Sequence, residues 1–89
     1  MKKINLLGST GSIGVQTLDV ARARGYKIES LAAFSNVDII EKQIREFKPA
    51  YAALVDEKAA ADLKVRVADL PVKVYSGLEG VSFCGAEAE

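Results

Sequence analysis

The chain contains no histidine and only one cysteine among its 89 residues. Without histidine, acid–base catalysis and metal ligation by an imidazole are both excluded within this chain. The single cysteine, Cys84, cannot form an internal disulfide, which is typical of a protein that resides in a reducing compartment. We therefore expect a cytoplasmic protein and no histidine chemistry within this chain.

The sequence also lacks an excess of charge and a long apolar run. It carries 12 basic and 12 acidic residues, so it has no basic footprint of the kind that binds nucleic acid. The first apolar stretch is only a few residues long, whereas a signal peptide needs about 7–15 apolar residues and a membrane span about 18. A composition that is 49% apolar and 27% charged favours a soluble globular protein. We expect partners that are neither nucleic acid nor membrane.

Short apolar runs alternate with amphipathic segments along the chain. The predicted strands are residues 3–7, 26–34, 51–55 and 72–76, and the predicted helices are residues 12–24, residues 37–47 and a segment that begins at Asp56. Alternation at this spacing favours βαβ units, a parallel sheet and right-handed crossovers. The simplest strand order is 4-3-2-1, which places the first strand at an edge. The tail after Gly77 begins like a further helix.

Three glycines, Gly8, Gly11 and Gly14, stand where the first strand should turn into the first helix. A phosphate at such a turn meets unpaired backbone N–H groups and the positive end of the helix dipole, and a side chain would hold it away. The spacing G-x-x-G-x-x-G is a relative of the dinucleotide-binding pattern G-x-G-x-x-G. A tight structural turn would use the same glycines. The βαβ context favours a nucleotide, and the predicted fold is a partial α/β fold with a Rossmann-like parallel sheet and flanking helices.

The end of the second strand indicates which nucleotide is bound. Folds that bind NAD usually place an acid about 20 residues after the glycines, where it accepts a hydrogen bond from the ribose 2′-hydroxyl. This chain has Ser35 and Asn36 at that place, and neither repels a 2′-phosphate. The two residues could also serve only as helix caps. With the glycines upstream, the pattern favours NADP over NAD.

The run "GSTGSIG" followed by "QTLDV" resembles the N-terminus of the 1-deoxy-D-xylulose 5-phosphate reductoisomerase family. The resemblance continues through "SNV", "IREFKPAYAALVDEKAAADL" and "VYSGLEGV". It implies that residues 1–89 are the N-terminal part of an NADPH-binding domain and that the catalytic and C-terminal domains lie outside them. The cofactor-binding residues implied by the resemblance are Thr10, Gly11, Ser12 and Ile13 at the phosphates and Ser35 and Asn36 at the adenosine ribose and its 2′-phosphate. Many members have a glycine and often a basic residue where this chain has Phe34 and Ser35.

For the full-length protein, the resemblance implies an oxidoreductase of the non-mevalonate isoprenoid pathway. It would rearrange 1-deoxy-D-xylulose 5-phosphate, reduce it with NADPH to 2-C-methyl-D-erythritol 4-phosphate, and use a divalent metal, Mg or Mn. The substrate is a small sugar phosphate, and a homodimer is allowed. No catalytic and no metal-binding residue is carried over to these 89 residues, so the chain alone is expected to be inactive.

Two alternatives remain at this point. One is a fragment of another NADP-dependent reductase or epimerase, although the Tyr-x-x-x-Lys pair usual in that class is absent. The other is a non-enzymatic nucleotide-binding module. The remaining acids are predicted to be solvated helix faces or caps: Glu41, Glu46, Asp56, Glu57, Asp62 and Asp69. Cys84 is interpreted as a buried or incidental thiol, because a nucleophilic cysteine needs a base beside it.

Overall fold

A computed structural model describes residues 3–77 of the chain. Its elements in chain order are β1 (Lys3–Leu7), α1 (Ser12–Arg24), β2 (Lys27–Ala33), α2 (Val37–Phe47), β3 (Tyr51–Leu54), α3 (Glu57–Arg66) and β4 (Lys73–Ser76). All seven predicted elements are present, and no strand end differs from its predicted position by more than one residue. None of the helices within residues 3–77 is long and apolar enough to cross a membrane. Cys84 and the helix predicted after Gly77 lie outside the described residues.

The helices begin and end at residues suited to that task. Gly25 ends α1 with φ of 70°, a left-handed conformation that costs glycine little. At the start of α2, the side chain of Asn36 accepts a hydrogen bond of 3.2 Å from the backbone N–H of Ile39. The side chain of Asp56 accepts two backbone N–H groups in the first turn of α3, at 2.9 and 3.2 Å. These local signals explain why the predicted starts of α2 and α3 and the predicted end of α1 are confirmed.

The four strands form one parallel sheet in the order β1-β2-β3-β4, so the predicted order and the edge position of β1 are confirmed. One row of paired residues across the sheet runs through Leu6, Leu31, Ala52 and Val74. The C-terminal ends of neighbouring strands therefore lie side by side along one side of the sheet, which we call its C-terminal edge. In open parallel sheets, ligands bind beyond this edge.

All three described helices contribute to one apolar core on one face of the sheet. The helical members are Leu18 and Ala21 from α1, Ile40 and Ile44 from α2, and Ala60 and Leu63 from α3. A separate cluster on the opposite face joins Ala32 and Ala53 to Tyr51 and Tyr75, whose ring centroids are 6.3 Å apart. Within residues 3–77, no helix contributes to that second cluster. This one-sided arrangement follows from right-handed crossovers between strands that run in sequential order.

A bulge in β2 changes which of its side chains face the helices. Ile28 pairs with Ile4 and Ser30 pairs with Asn5, so Glu29 is an extra residue without a counterpart in β1. Because side chains alternate along a strand, one extra residue shifts the alternation by one. Ile28 before the bulge and Leu31 after it consequently join the same core.

Only some of the apolar side chains in the predicted pattern of α1 are buried. Leu18 and Ala21 are 3% and 1% exposed, but Ile13 and Val20, which belong to the same predicted helical pattern, are 79% and 51% exposed. α1 joins the edge strand β1 to β2, so within the described residues only one flank of the helix has a neighbouring element. The sequence pattern predicts the helix correctly but overstates how much of it is buried.

Candidate dinucleotide-binding site

The glycine loop leaves β1 and turns at once into α1. Gly8 has φ of 74°, in the left-handed region that favours glycine. The backbone N–H groups of Gly8 and Ser9 both donate to the carbonyl of Ala32, at 2.7 and 2.9 Å. The N–H of Gly11 donates back to the carbonyl of Gly8 at 3.2 Å. The first half of the loop is therefore tied to the C-terminal end of β2.

The other two glycines of the motif have different roles. A Cβ atom on Gly14 would lie 2.2 Å from the carbonyl oxygen of Gly8 and 2.8 Å from the Cα of Ser9. Gly14 therefore allows α1 to pack directly against the loop. A Cβ atom on Gly11 would lie 3.6 Å from its nearest neighbour, which is an ordinary contact, and Gly11 has an extended backbone with φ of −80°. The fold itself does not require glycine at position 11.

The N-terminus of α1 presents unpaired donors. In any α-helix the first N–H groups have no acceptor within the helix, which here concerns Ser12, Ile13 and Gly14. The N-cap residue, Gly11, provides no side chain to accept from them, and no acidic residue stands in the first turn. The partial positive charge of the helix end is therefore not neutralised from within these residues. Such a terminus is suited to an anion such as a phosphate.

The structure brings the two predicted groups of site residues to the same edge of the sheet. Gly11, Ser12 and Ile13 are exposed, and Thr10 is partly buried. Ser35 and Asn36 are exposed and follow β2 directly. Leu7 at the end of β1 pairs with Ala32 near the end of β2, so the glycine loop and the Ser35–Asn36 turn emerge from neighbouring strands. Phe34, beside that turn, is 67% exposed.

Sequence reasoning missed Gln43, a polar residue of α2 that reaches the loop. Its side chain is 8% exposed, and its Nε2 donates a hydrogen bond of 2.7 Å to the backbone carbonyl of Ser9. Ser9 itself is fully buried. The signal was present in the sequence, because Gln43 lies between Ile40 and Ile44 at helical spacing and thus on the buried side of α2.

The acids predicted to be solvated faces or caps pair with arginines or cap helices. Arg22 of α1 makes a two-pronged ion pair with Glu46 of α2, and this contact holds the pKa of the Glu46 carboxyl below its ordinary value. Arg45 does the same to the pKa of Asp69. A further arginine, Arg66, bonds with three acids: Asp38, Glu41 and Asp62. These contacts join α1 to α2, join α2 to α3 or to the turn that follows α3, or lie within α3, and none involves a residue of the glycine loop.

No cluster of histidine, cysteine, aspartate or glutamate within residues 3–77 could hold a metal ion. Asp38, Glu41 and Asp62 are paired with arginines, and Asp56 caps α3. The described residues therefore present a candidate anion-binding loop and no candidate metal centre.

Comparison with known proteins gives a consistent result. The sequence model of the 1-deoxy-D-xylulose 5-phosphate reductoisomerase family matches residues 4–89. A relative of that name from Desulfitobacterium hafniense (strain DSM 10664 / DCB-2) is 55% identical over 83 residues, which are 91% of this chain and 22% of the relative. One from Acetivibrio thermocellus is 52% identical over 81 residues, 91% of this chain and 21% of the relative. The chain thus spans about a fifth of the length of these curated relatives.

Solved structures agree with the sequence comparison. The 1-deoxy-D-xylulose 5-phosphate reductoisomerase from Zymomonas mobilis in complex with NADPH matches with a TM-score of 0.91 and 26% identity, over 97% of this chain and 23% of that chain. A DOX-P reductoisomerase in complex with NADPH, fosmidomycin and magnesium matches with a TM-score of 0.90 and 32% identity, over 98% of this chain and 22% of that one. These similarities support the predicted Rossmann-like class.

Proposed function

Because the chain belongs to the 1-deoxy-D-xylulose 5-phosphate reductoisomerase family, we propose that residues 1–89 form the N-terminal part of its NADPH-binding domain. The observation that carries the proposal is the start of α1, where the N–H groups of Ser12, Ile13 and Gly14 have no acceptor within the helix and Gly11 provides no side-chain cap. Gly14 brings this helix end into direct contact with the loop. Two solved members of the family hold NADPH.

In the proposed arrangement, Thr10, Gly11, Ser12 and Ile13 bind the cofactor phosphates. Backbone N–H groups and the hydroxyls of Thr10 and Ser12 donate to phosphate oxygens, and the helix dipole adds an attraction for negative charge. The exposed surface of the loop supports this role, because the donors there do not serve the core. The side chain of Ile13, 79% exposed, is available to contact a ligand.

Ser35 and Asn36 bind the adenosine ribose and its 2′-phosphate in this proposal. The cap of α2 uses the side-chain oxygen of Asn36, and the amide NH₂ group that remains is purely a donor. The hydroxyl of Ser35 donates as well. No acid stands between Phe34 and Val37, so nothing in this turn repels a phosphate. Ser35 lacks the positive charge that many members have here, so its contact with the phosphate is not charge-assisted.

The proposal for the whole protein is the family reaction. The full-length protein would rearrange 1-deoxy-D-xylulose 5-phosphate and reduce it with NADPH to 2-C-methyl-D-erythritol 4-phosphate, in the isoprenoid pathway. A divalent metal, Mg or Mn, would hold substrate oxygens when bound, and no described residue of this chain fits that role. The share of this chain is to bind and orient the cofactor. We further propose that the full-length protein resides in the cytoplasm. That it forms a homodimer stays a prediction, and sedimentation of the full-length protein tests it.

The alternatives differ in what they predict. The family match over residues 4–89 does not favour a short-chain reductase or an epimerase. A self-contained nucleotide-binding module would require that residues 1–89 bind NADPH tightly without other domains. Comparing NADPH affinity of the 89-residue chain with that of a full-length hybrid, in which this chain replaces the matching segment of the Desulfitobacterium hafniense relative, distinguishes the two.

The decisive experiment replaces Gly11 by valine in that full-length hybrid. Valine tolerates the extended backbone at this position, its Cβ would make only an ordinary contact of 3.6 Å with the carbonyl oxygen of Gly8, and circular dichroism of the variant checks that it is folded. Its branched side chain would separate a phosphate from the loop. The loss of even one charge-assisted hydrogen bond weakens binding by roughly 10-fold or more. Calorimetric titration with NADPH measures the effect. Equal affinity of Gly11→Val and the unmodified hybrid would refute the proposed phosphate site.

A further inference from the structure

A buried side chain beneath the glycine loop has no place in the proposed binding set. Gln43 donates through Nε2 to the backbone carbonyl of Ser9 at 2.7 Å. It is 8% exposed and belongs to α2, whereas Ser9 belongs to the loop between β1 and α1. This contact joins two segments that are 34 residues apart in sequence.

The two residues of this contact each keep a polar atom without a hydrogen-bond partner, and this indicates why a glutamine stands here. The Oε1 atom of Gln43 and the Oγ atom of Ser9 are both buried without a hydrogen-bond partner among the described residues. A buried polar atom without a partner lowers stability, so an apolar side chain would suit the core between Ile40 and Ile44 equally well. Fold stability alone does not account for a glutamine here. Its one bond, to the loop, is the specific interaction it contributes.

The bond gives the first half of the loop a second attachment, besides the one at Ala32 of β2. The N–H groups of Gly8 and Ser9 are fixed by the carbonyl of Ala32. The carbonyl of Ser9 accepts its hydrogen bond from Gln43 of α2. With both groups of Ser9 held, the peptide planes that lead into Gly11 and the start of α1 are restrained.

We propose that Gln43 is a positioning residue, which holds the glycine loop in the conformation that receives the NADPH phosphates. This rests on the proposed function. The same helix carries Asn36 at its N-terminus, seven residues earlier. Gln43 therefore also fixes the loop relative to the turn that is proposed to bind the ribose 2′-phosphate. In this proposal Gln43 acts through the loop and not by contact with the cofactor or the substrate.

The test replaces Gln43 by methionine in the full-length hybrid, because methionine has a similar length and no N–H to donate. Without the bond, the loop spends less time in the competent conformation, and apparent affinity falls in proportion. Loss of the net free energy of one hydrogen bond should raise the dissociation constant for NADPH by roughly 3- to 10-fold. The KM for the sugar phosphate and kcat at saturating NADPH should remain unchanged. A purely structural role would lower stability and leave the NADPH dissociation constant unchanged.

The matched control is Ile44→Val, which removes one methylene from the next residue of α2 and has no contact with the loop through hydrogen bonds. It should lower the melting temperature without changing NADPH affinity. NADPH binding by Gln43→Met that equals the unmodified hybrid would overturn the inference. A weakening matched by Ile44→Val would also overturn it, because general loosening of α2 would then explain the effect. Failure of the unmodified hybrid to bind NADPH would instead refute the proposed function.

Discussion

Replacement of Gly14 by alanine tests the closest contact in the candidate site. The added Cβ would lie 2.2 Å from the carbonyl oxygen of Gly8, which is about 1.2 Å short of the 3.4 Å at which ordinary contact begins. It would also lie 2.8 and 2.9 Å from two backbone atoms of Ser9. These are backbone atoms, and hydrogen bonds to Ala32 and Gln43 hold them, so no side-chain rotation relieves the clash.

The expected sign is opposite to that of helix propensity. Alanine in place of glycine inside a helix favours folding by about 1 kcal/mol. Overpacking by a methyl group costs about 1–3 kcal/mol, and the upper end applies where only backbone can move. We therefore expect Gly14→Ala to destabilise the protein by about 2 kcal/mol. Urea unfolding of the full-length hybrid, followed by circular dichroism, measures the change.

Gly11→Ala is the matched control, because it adds the same methyl group three residues earlier. There the Cβ has 3.6 Å to its nearest neighbour. Its free energy of unfolding should fall by no more than about 1 kcal/mol, because alanine is a poorer N-cap than glycine but meets no close contact there. A Gly14→Ala protein that is as stable as the control would show that α1 does not lie as close to the loop as described, and the reasoning would fail.

Three further predictions concern the cofactor, acid and the isolated chain. Ser35→Asp should lower the preference for NADP over NAD by at least about 5-fold, since a carboxylate near 4 Å from a phosphate costs ~1 kcal/mol even in water; an unchanged ratio of the two dissociation constants would place the 2′-phosphate elsewhere. The lowered pKa of Glu46 means that its contribution to stability is complete above its ordinary value of 4.5 and is lost as the pH falls through the lowered value. The Arg22→Gln variant should therefore lose less stability than the unmodified protein when the pH is lowered through this range. Arg24→Gln, on the same helix, should lose as much as the unmodified protein. Equal urea midpoints of the two variants at every pH in this range would contradict the assignment. Residues 1–89 alone should be marginally stable or self-associate through β1, bind NADPH weakly and turn over no sugar phosphate, because β1 is an edge strand among residues 3–77, beside the exposed Leu7 and Ile13. A stable monomer in ultracentrifugation with micromolar NADPH affinity would favour an autonomous module.

The starts of α2 and α3 and the end of α1 were predictable because their signals are local. Gly25, Asn36 and Asp56 act within a few residues of the backbone groups they satisfy, so the sequence contains the whole interaction. The bulge at Glu29 was not predictable in this way. It depends on how β2 aligns with β1, a choice made between segments more than 20 residues apart. The exposure of Val20 likewise depends on which elements flank α1 in space.

Of the candidate site, too, only the features that depend on local sequence were predictable. The glycine spacing and the lack of an acid after β2 indicated the loop and the turn, and the structure places both at one edge of the sheet. The contributions of Gly11 and Gly14 could not be separated from spacing, because only the packing of α1 on Gly8 distinguishes them. Gln43 was missed because a polar residue on a helix is ordinarily read as solvent-facing. The roles of Thr10, Gly11, Ser12, Ile13, Ser35 and Asn36 toward the cofactor remain predictions.

The strand order has a consequence for how the chain folds as it is made. The order β1-β2-β3-β4 repeats the order of synthesis, so every strand pairs with the one completed just before it. Each new βα unit is added to an edge that already exists, and no described strand must wait for a later segment to find its neighbour. Each pairing therefore closes a single crossover, and the entropy lost in closing it grows only slowly with the length of that crossover. The glycine loop and its anchor at Ala32 are complete once the second strand has formed, within the first third or so of the translation of these residues.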